Sequence, residues 1–434
     1  MLKKIVSCML ATVLVLSMAG CGSAGTSPEG TSPEAQESEV VGEGTEEVGE
    51  GPKAIDFWLD KLDDQSKIGK ISAAWKEEAG VDVMFSNYPD VAAYQTAMQQ
   101  TIDTDAAPAL FTWWSGSQLE TLAKNGKIED LTDEWDAYLE AGVVDVREAF
   151  TVDGKIYAAP YSVLYNVCYY NKNVFEAAGV DGIPTTFDEF LDACEKIKQS
   201  GVTPIGIKND SWASFIWFQQ MISVFDAQLY KDICSGEKDY TDPEVKEVMN
   251  KWKEMIDKGY FSEPLLYSDM FRDFATGNVG IILEPTTTAN DMESEYGLTP
   301  AQDFDAFALP TVDGSKKTIF FEAAPIVVAA ASGTKEAGKE ALKGLYKENV
   351  QNVFTAETGI VNSTKVQVEN AVIQNIMTMS GDTEGHQLIL RYYENTEEDI
   401  RNYALDELSR FMYSGADIDE VLGNIQAKAD EVRG

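Results

Sequence analysis

The chain has 434 residues and carries 34 Lys and Arg against 73 Asp and Glu, a formal net charge of −39. An acid excess of that size excludes nucleic acid and anionic membrane surfaces as direct partners. A single histidine, His386, and five cysteines without a CxxC spacing exclude zinc sites and histidine-based triads, so neither a metal nor a cofactor is expected.

In chain order, Lys3 and Lys4 precede a short apolar run over residues 5–18, and Met18-Ala19-Gly20 leads into Cys21. This reads as an export leader over residues 1–20. It resembles a bacterial lipobox, which implies lipidation of Cys21 and attachment to the outer face of the cell membrane; the alternative is an ordinary secretory leader with an incidental cysteine. Loss of the leader removes Lys3 and Lys4 and leaves 32 bases against 73 acids, a net −41. Residues 21–53 repeat GTSPE from Gly25 and Gly30 and VGEG from Val41 and Val48. Too little apolar bulk is present to fold, so the segment is expected to be a disordered acidic tether.

Residues 54–434 are long for one core and suit two domains. Strands are predicted over 54–59, 81–85 and 109–113, with helices over 67–79 and 90–103 between them. That alternation predicts a doubly wound α/β lobe with its ligand beyond the carboxyl ends of the strands. Trp58, Asp60, Trp113, Trp114, Ser115 and Gln118 fall at such ends.

The stretch 153–207 is the most regular. Asp153-Gly154 is a turn signal, residues 156–161 and 163–170 read as extended, and Thr186 with Glu189 has capping-box spacing before a helix ended by Gly201. Residues 203–207 read as the following strand. The runs GKIYAAPY, YYNKNVFEAAGV and IPTTFDEFLDACEKIKQSGVTPIGI in this stretch resemble the family 1 extracellular solute-binding proteins, the lipoproteins of sugar importers, among them maltose-binding protein. The resemblance extends over essentially 54–432, through FRDFATGNVGIILE from Phe271, TGIVN from Thr358 and the C-terminal ALDELSRFMYSGADIDEVLGNIQAKADEV.

It implies two doubly wound α/β lobes joined by a multi-crossing hinge, a type II periplasmic-binding-protein-like fold. The N-terminal lobe would comprise 54–161 and 310–356, and the C-terminal lobe 162–309 and 357–434. Trp114 matches a sugar-stacking Trp of the family, whereas Ser117 and Gln118 replace the charged pair that usually follows. Trp212 and Phe215 fall where aromatic platforms are placed, and Trp217 stays open between core and cleft. Glu284 and Thr286 to Thr288 occupy a segment where an aromatic is usual, and Asn362 stands where proline is usual. Tyr161, Phe321 and Glu322 complete the expected ligand-binding set.

The implied function is capture, not catalysis: a monomer closes its lobes on a carbohydrate, an oligosaccharide above all, and presents it to the permease of an ABC importer. The alternatives are a polyamine or peptide as ligand, or a carbohydrate-active enzyme. Cys168, Cys194 and Cys234 leave a disulfide open.

Overall fold

The structure, a computed structural model, describes residues 54–60, 65–88 and 91–434. The leader, Cys21 and the tether lie outside them. Eleven strands are present: β1 (Ala54–Leu59), β2 (Asp82–Asn87), β3 (Leu110–Thr112), β4 (Thr151–Val152), β5 (Lys155–Ile156), β6 (Ala159–Asn171), β7 (Thr203–Gly206), β8 (Val279–Pro285), β9 (Phe304–Phe307), β10 (Lys317–Val328) and β11 (His386–Leu390). β4 and β5 form a small hairpin around Asp153, and the other nine make one sheet in the order β2-β1-β3-β10-β6-β8-β7, with β11 beside β10 and β9 beside β6. This is the mixed α/β architecture the sequence predicts.

β6 and β10 hold the sheet together. They pair antiparallel from Phe320 with Asn166 to Ile326 with Ala159. The amino-terminal part of β6 belongs to the half containing β1–β3, and its carboxyl-terminal part pairs with β8 and β9. β10 runs the other way, from β11 at Lys317 to β3 at Val328. For β6 the sequence suggests two extended pieces, 156–161 and 163–170, and the structure makes one strand of Ala159–Asn171. Continuity survives Pro160 and Pro325 because they face each other at a register shift between Ala324 and Pro325, where missing N–H groups interrupt no ladder bond.

Alternation along these strands divides the interior. Val163, Tyr165, Val167 and Tyr169 enter one hydrophobic cluster, which also holds the β1–β3 core. Cys168 and Tyr170 enter a second cluster with Phe190, Phe215, Trp217, Trp252 and Phe411. Helices therefore cover both faces of the β6-β8-β7 half. Trp217, at 2% exposure, is core. Cys168, Cys194 and Cys234 are buried free thiols. The described residues form one compact unit.

Towards the end of the 310–356 segment lie two helices, Lys335–Leu345 and Glu348–Thr358. Tyr346 interrupts them because its buried hydroxyl donates to Pro160 O at 2.8 Å, a tertiary contact without a local sequence signal. A third chain segment crosses beside β6 at Val361, which bridges to Val163. There the fully buried Asn362 donates through Nδ2 to Tyr161 O at 2.6 Å and Pro160 O at 3.4 Å. Asn362→Ala removes the side-chain donor to Tyr161 O, while Pro160 O keeps Tyr346 Oη, and is expected to cost about 1–3 kcal/mol in urea unfolding; an unchanged midpoint would show that the crossings hold without this tie.

Candidate functional site

Three segments surround a cavity of about 430 Å³ between the two halves of the sheet. The first leaves β3. Trp113 N donates to Pro325 O at 3.1 Å, which fixes the chain as it turns out of the sheet. Trp113 and Trp114 meet edge to face at 5.0 Å, and the buried Tyr94 ring lies 6.1 and 6.2 Å from them. Gly116 then takes φ 70 and ψ −141, a conformation essentially reserved for glycine. It also lies against the second half, since a Cβ there would sit 2.7 Å from Glu394 O. Helix Ser117–Lys124 follows and contributes Gln118 to the wall.

The opposite wall starts at Asp210, whose Oδ1 caps helix Ser211–Phe225 by accepting from Trp212 N at 3.1 Å and Ala213 N at 3.2 Å. Tyr413 Oη donates to Asp210 O at 2.6 Å and pins the turn. Trp212 stacks on Tyr393 with centroids 4.9 Å apart and planes 26° apart. Guanidinium groups add to this pair, Arg391 at 5.2 Å from the Trp212 ring and Arg401 at 4.0 Å from the Tyr393 ring.

The floor is β10, where Glu322, Ala323 and Ala324 line the cavity. Arg391, 6% exposed, forms ion pairs with Glu322 and Glu394, its Nε lying 3.0 Å from Glu394 Oε2. Burial works against its charge, but Glu394 and Glu322 hold its pKa above the ordinary arginine value. The site therefore combines flat aromatic surfaces, carboxylate acceptors and guanidinium donors in one small cavity, the composition of a pre-formed small-molecule site. Among the described residues no group of His, Cys, Asp and Glu could hold a metal ion.

The structure brings Trp113, Trp114, Ser115, Gln118, Trp212 and Glu322 together in this cavity. The other expected residues lie elsewhere. Phe215 is fully buried behind Trp212, at 5.1 Å. Tyr161 is packed between Phe57 and Phe354. Phe321 is 2% exposed in the core, because its neighbour Glu322 takes the opposite face of β10. Trp58 rests against Tyr88 at 5.3 Å, outside the cavity. Asp60 serves the backbone turn, its Oδ1 accepting from Thr112 Oγ1 at 2.6 Å.

Glu284 also lies outside the cavity, buried beside Lys208 with Nζ and Oε2 3.1 Å apart. Residues the sequence reading passed over are Val91, Gln95, Arg391, Tyr393, Glu394, Glu398 and Arg401. Tyr393 lies just past β11, so the criterion of aromatics at strand ends would have marked it. The pairing of Arg391 with Glu322 has no local signal.

Against this geometry, a sequence model described as bacterial extracellular solute-binding protein matches residues 70–379. The diacetylchitobiose binding protein DasA of Streptomyces coelicolor is 24% identical over 271 residues, 58% of this chain and 60% of its own. A solved structure of a family 1 extracellular solute-binding protein from Bifidobacterium longum subsp. infantis superposes with a TM-score of 0.72 at 20% identity, covering 88% of this chain and 100% of that one. The solute receptor AcbH, described by its exclusive substrate preference for β-D-galactopyranose, does so with a TM-score of 0.73 at 16% identity and the same coverage. At these identities the structural likeness shows the fold.

Burial pushes the Glu284 carboxyl up to about 7 from an ordinary 4.5, against the pull of Lys208. The folded chain thus keeps a proton that the unfolded chain releases between those values, so this group's contribution to stability falls as pH rises from 4.5 to about 7. Glu284→Gln is expected to gain about 2–3 kcal/mol on the parent across that window in urea unfolding. Parallel stability curves would show that Glu284 titrates normally.

Proposed function

The chain belongs to the bacterial extracellular solute-binding protein family, and from that premise we propose that it captures a carbohydrate, an oligosaccharide above all, for an ABC importer. The observation that carries the reading is the cavity in which Trp113 and Trp114 of one half face Trp212 and Tyr393 of the other across a polar floor. Sugar rings present C–H faces that pack on aromatic planes and a rim of hydroxyls that pairs with carboxylates, amides and guanidinium groups. The names of DasA and AcbH, which carry a chitin disaccharide and a galactopyranose, support a sugar as the solute class.

Capture proceeds by relative movement of two lobes, 54–161 with 310–356 and 162–309 with 357–434, about the crossings at β6, β10 and Val361. A ligand touching both walls favours the closed form by its differential affinity. The lipid on Cys21 and the acidic tether keep the monomer beside its permease at the outer face of the membrane. No step of bond cleavage is involved. A polyamine is the weaker ligand, because Arg391 and Arg401 offset the carboxylates of the cavity.

A thermal-shift screen of the protein against mono- and oligosaccharides, peptides and polyamines tests the reading. Ligand at a hundred times its Kd adds about 2.7 kcal/mol of stability. One saccharide class is expected to raise Tm and to be recovered intact by chromatography; a response confined to amines or peptides, or consumption of the sugar, sinks it. Trp114→Ala and Trp212→Ala are each expected to weaken that sugar at least about tenfold, or about 1.4 kcal/mol, at unchanged far-UV dichroism. Unaltered affinity in both variants would place the ligand elsewhere.

A further inference from the structure

The cavity floor holds a charge arrangement that decides which sugars fit. Arg391 is the only cation among the described residues that is paired with two carboxylates lining the cavity. Its Nε and Nη2 are committed to Glu394, and Nη2 is also committed to Glu322. The second cation, Arg401, is 6% exposed and donates through Nη1 to Tyr393 O at 2.8 Å, with Glu398 3.6 Å from Nη2. Among the described residues that line the cavity, Glu322, Glu394 and Glu398 thus outnumber Arg391 and Arg401, inside a chain of net charge −39.

We infer that this cavity selects neutral sugars and rejects anionic ones, and that the Arg391–Glu322 pair is its specificity determinant. The inference rests on the carbohydrate reading above and goes on to name the class. A guanidinium carries five N–H donors in a planar fork. With Nε and Nη2 turned to the carboxylates, Nη1 is left to donate to a ligand hydroxyl, and no described residue accepts from it. The Glu322 carboxylate, about a quarter exposed, accepts from a neighbouring hydroxyl. Adjacent hydroxyls on a sugar are both donors and acceptors, so one diol satisfies this donor–acceptor pair without bringing charge. A uronate or a sugar phosphate brings only acceptors. It would have to pull Arg391 away from two carboxylates and leave them unpaired, in a field that already repels anions. Trp212 supports the same atom group from the side, holding the guanidinium over its ring while its own edge borders the cavity.

The experiment titrates the full chain with maltotriose, cellotriose, xylotriose, raffinose and diacetylchitobiose, and in parallel with trigalacturonate and glycerol 3-phosphate, by calorimetry at fixed ionic strength. It then repeats the best neutral ligand and trigalacturonate on Glu322→Gln and Arg391→Lys. In the parent a neutral oligosaccharide is expected to bind at least a hundredfold more tightly than either anion. Glu322→Gln frees part of the guanidinium charge and is expected to narrow that ratio at least tenfold through tighter binding of trigalacturonate, a gain that loss of structure alone does not produce. Arg391→Lys keeps the charge but loses the fork, and is expected to weaken the neutral sugar at least tenfold.

A parent that binds trigalacturonate or glycerol 3-phosphate as tightly as any neutral sugar overturns the inference and leaves carbohydrate capture standing. A ratio unmoved by Glu322→Gln also overturns it. If no saccharide of either class binds the parent, carbohydrate capture fails and this inference fails with it.

Discussion

The antiparallel pairing of β6 with β10 is the constraint on which the rest of the molecule depends. Each strand is long enough to belong to both halves of the sheet, and each changes partners part-way along its length. Their ladder bonds therefore serve as backbone support for both halves and as part of the link between them. Two prolines meet at the one register irregularity, and the bends this allows occur where fewest ladder bonds are present to break. Asn362 fastens the third crossing to the same place through the carbonyls of Pro160 and Tyr161. The links between the halves are thereby gathered into a narrow band of backbone.

The site inherits its position from that band. Glu322 to Ala324 lie on β10 where it passes between the halves, so the cavity floor is a strand that both halves share. The walls come from chain that leaves the sheet on either side: Trp113 to Gln118 after β3, and Trp212 and Arg391 to Glu394 beyond β7 and β11.

Electrostatics at the floor runs counter to the overall charge. A net charge of −39 suggests acidic surface throughout, yet Arg391 and Arg401 are among the residues that line the cavity. They do not make it basic. Arg391 is buried between Glu322 and Glu394, and the cost of burying three charges is offset by short pairing and by the Trp212 face. The result is a locally compensated, strongly hydrogen-bonding surface, which suits a polar uncharged ligand better than an ion of either sign.

Much of this was legible in the sequence. Apolar alternation and helix caps pointed to the α/β class, with Thr186 placed at a helix start as predicted. Aromatics after predicted strands marked Trp113 and Trp114. These features depend on period and on neighbours a few residues away, which a linear chain carries intact. The family resemblance marked Trp212, which lines the cavity, and also put Phe215, Tyr161 and Phe321 at the ligand, where the structure packs them into the core. It also missed Arg391, Tyr393 and Arg401 altogether.

An aromatic at a strand end looks the same in sequence whether its rotation turns it inward or outward. That choice belongs to the strand pairing and helix packing around it. The pairing of Arg391 with Glu322 exists only because β11 lies beside β10. Local periodicity thus determined the elements and their order, while the tertiary structure alone decided which side chains share the cavity, because long-range sheet register sets which faces meet.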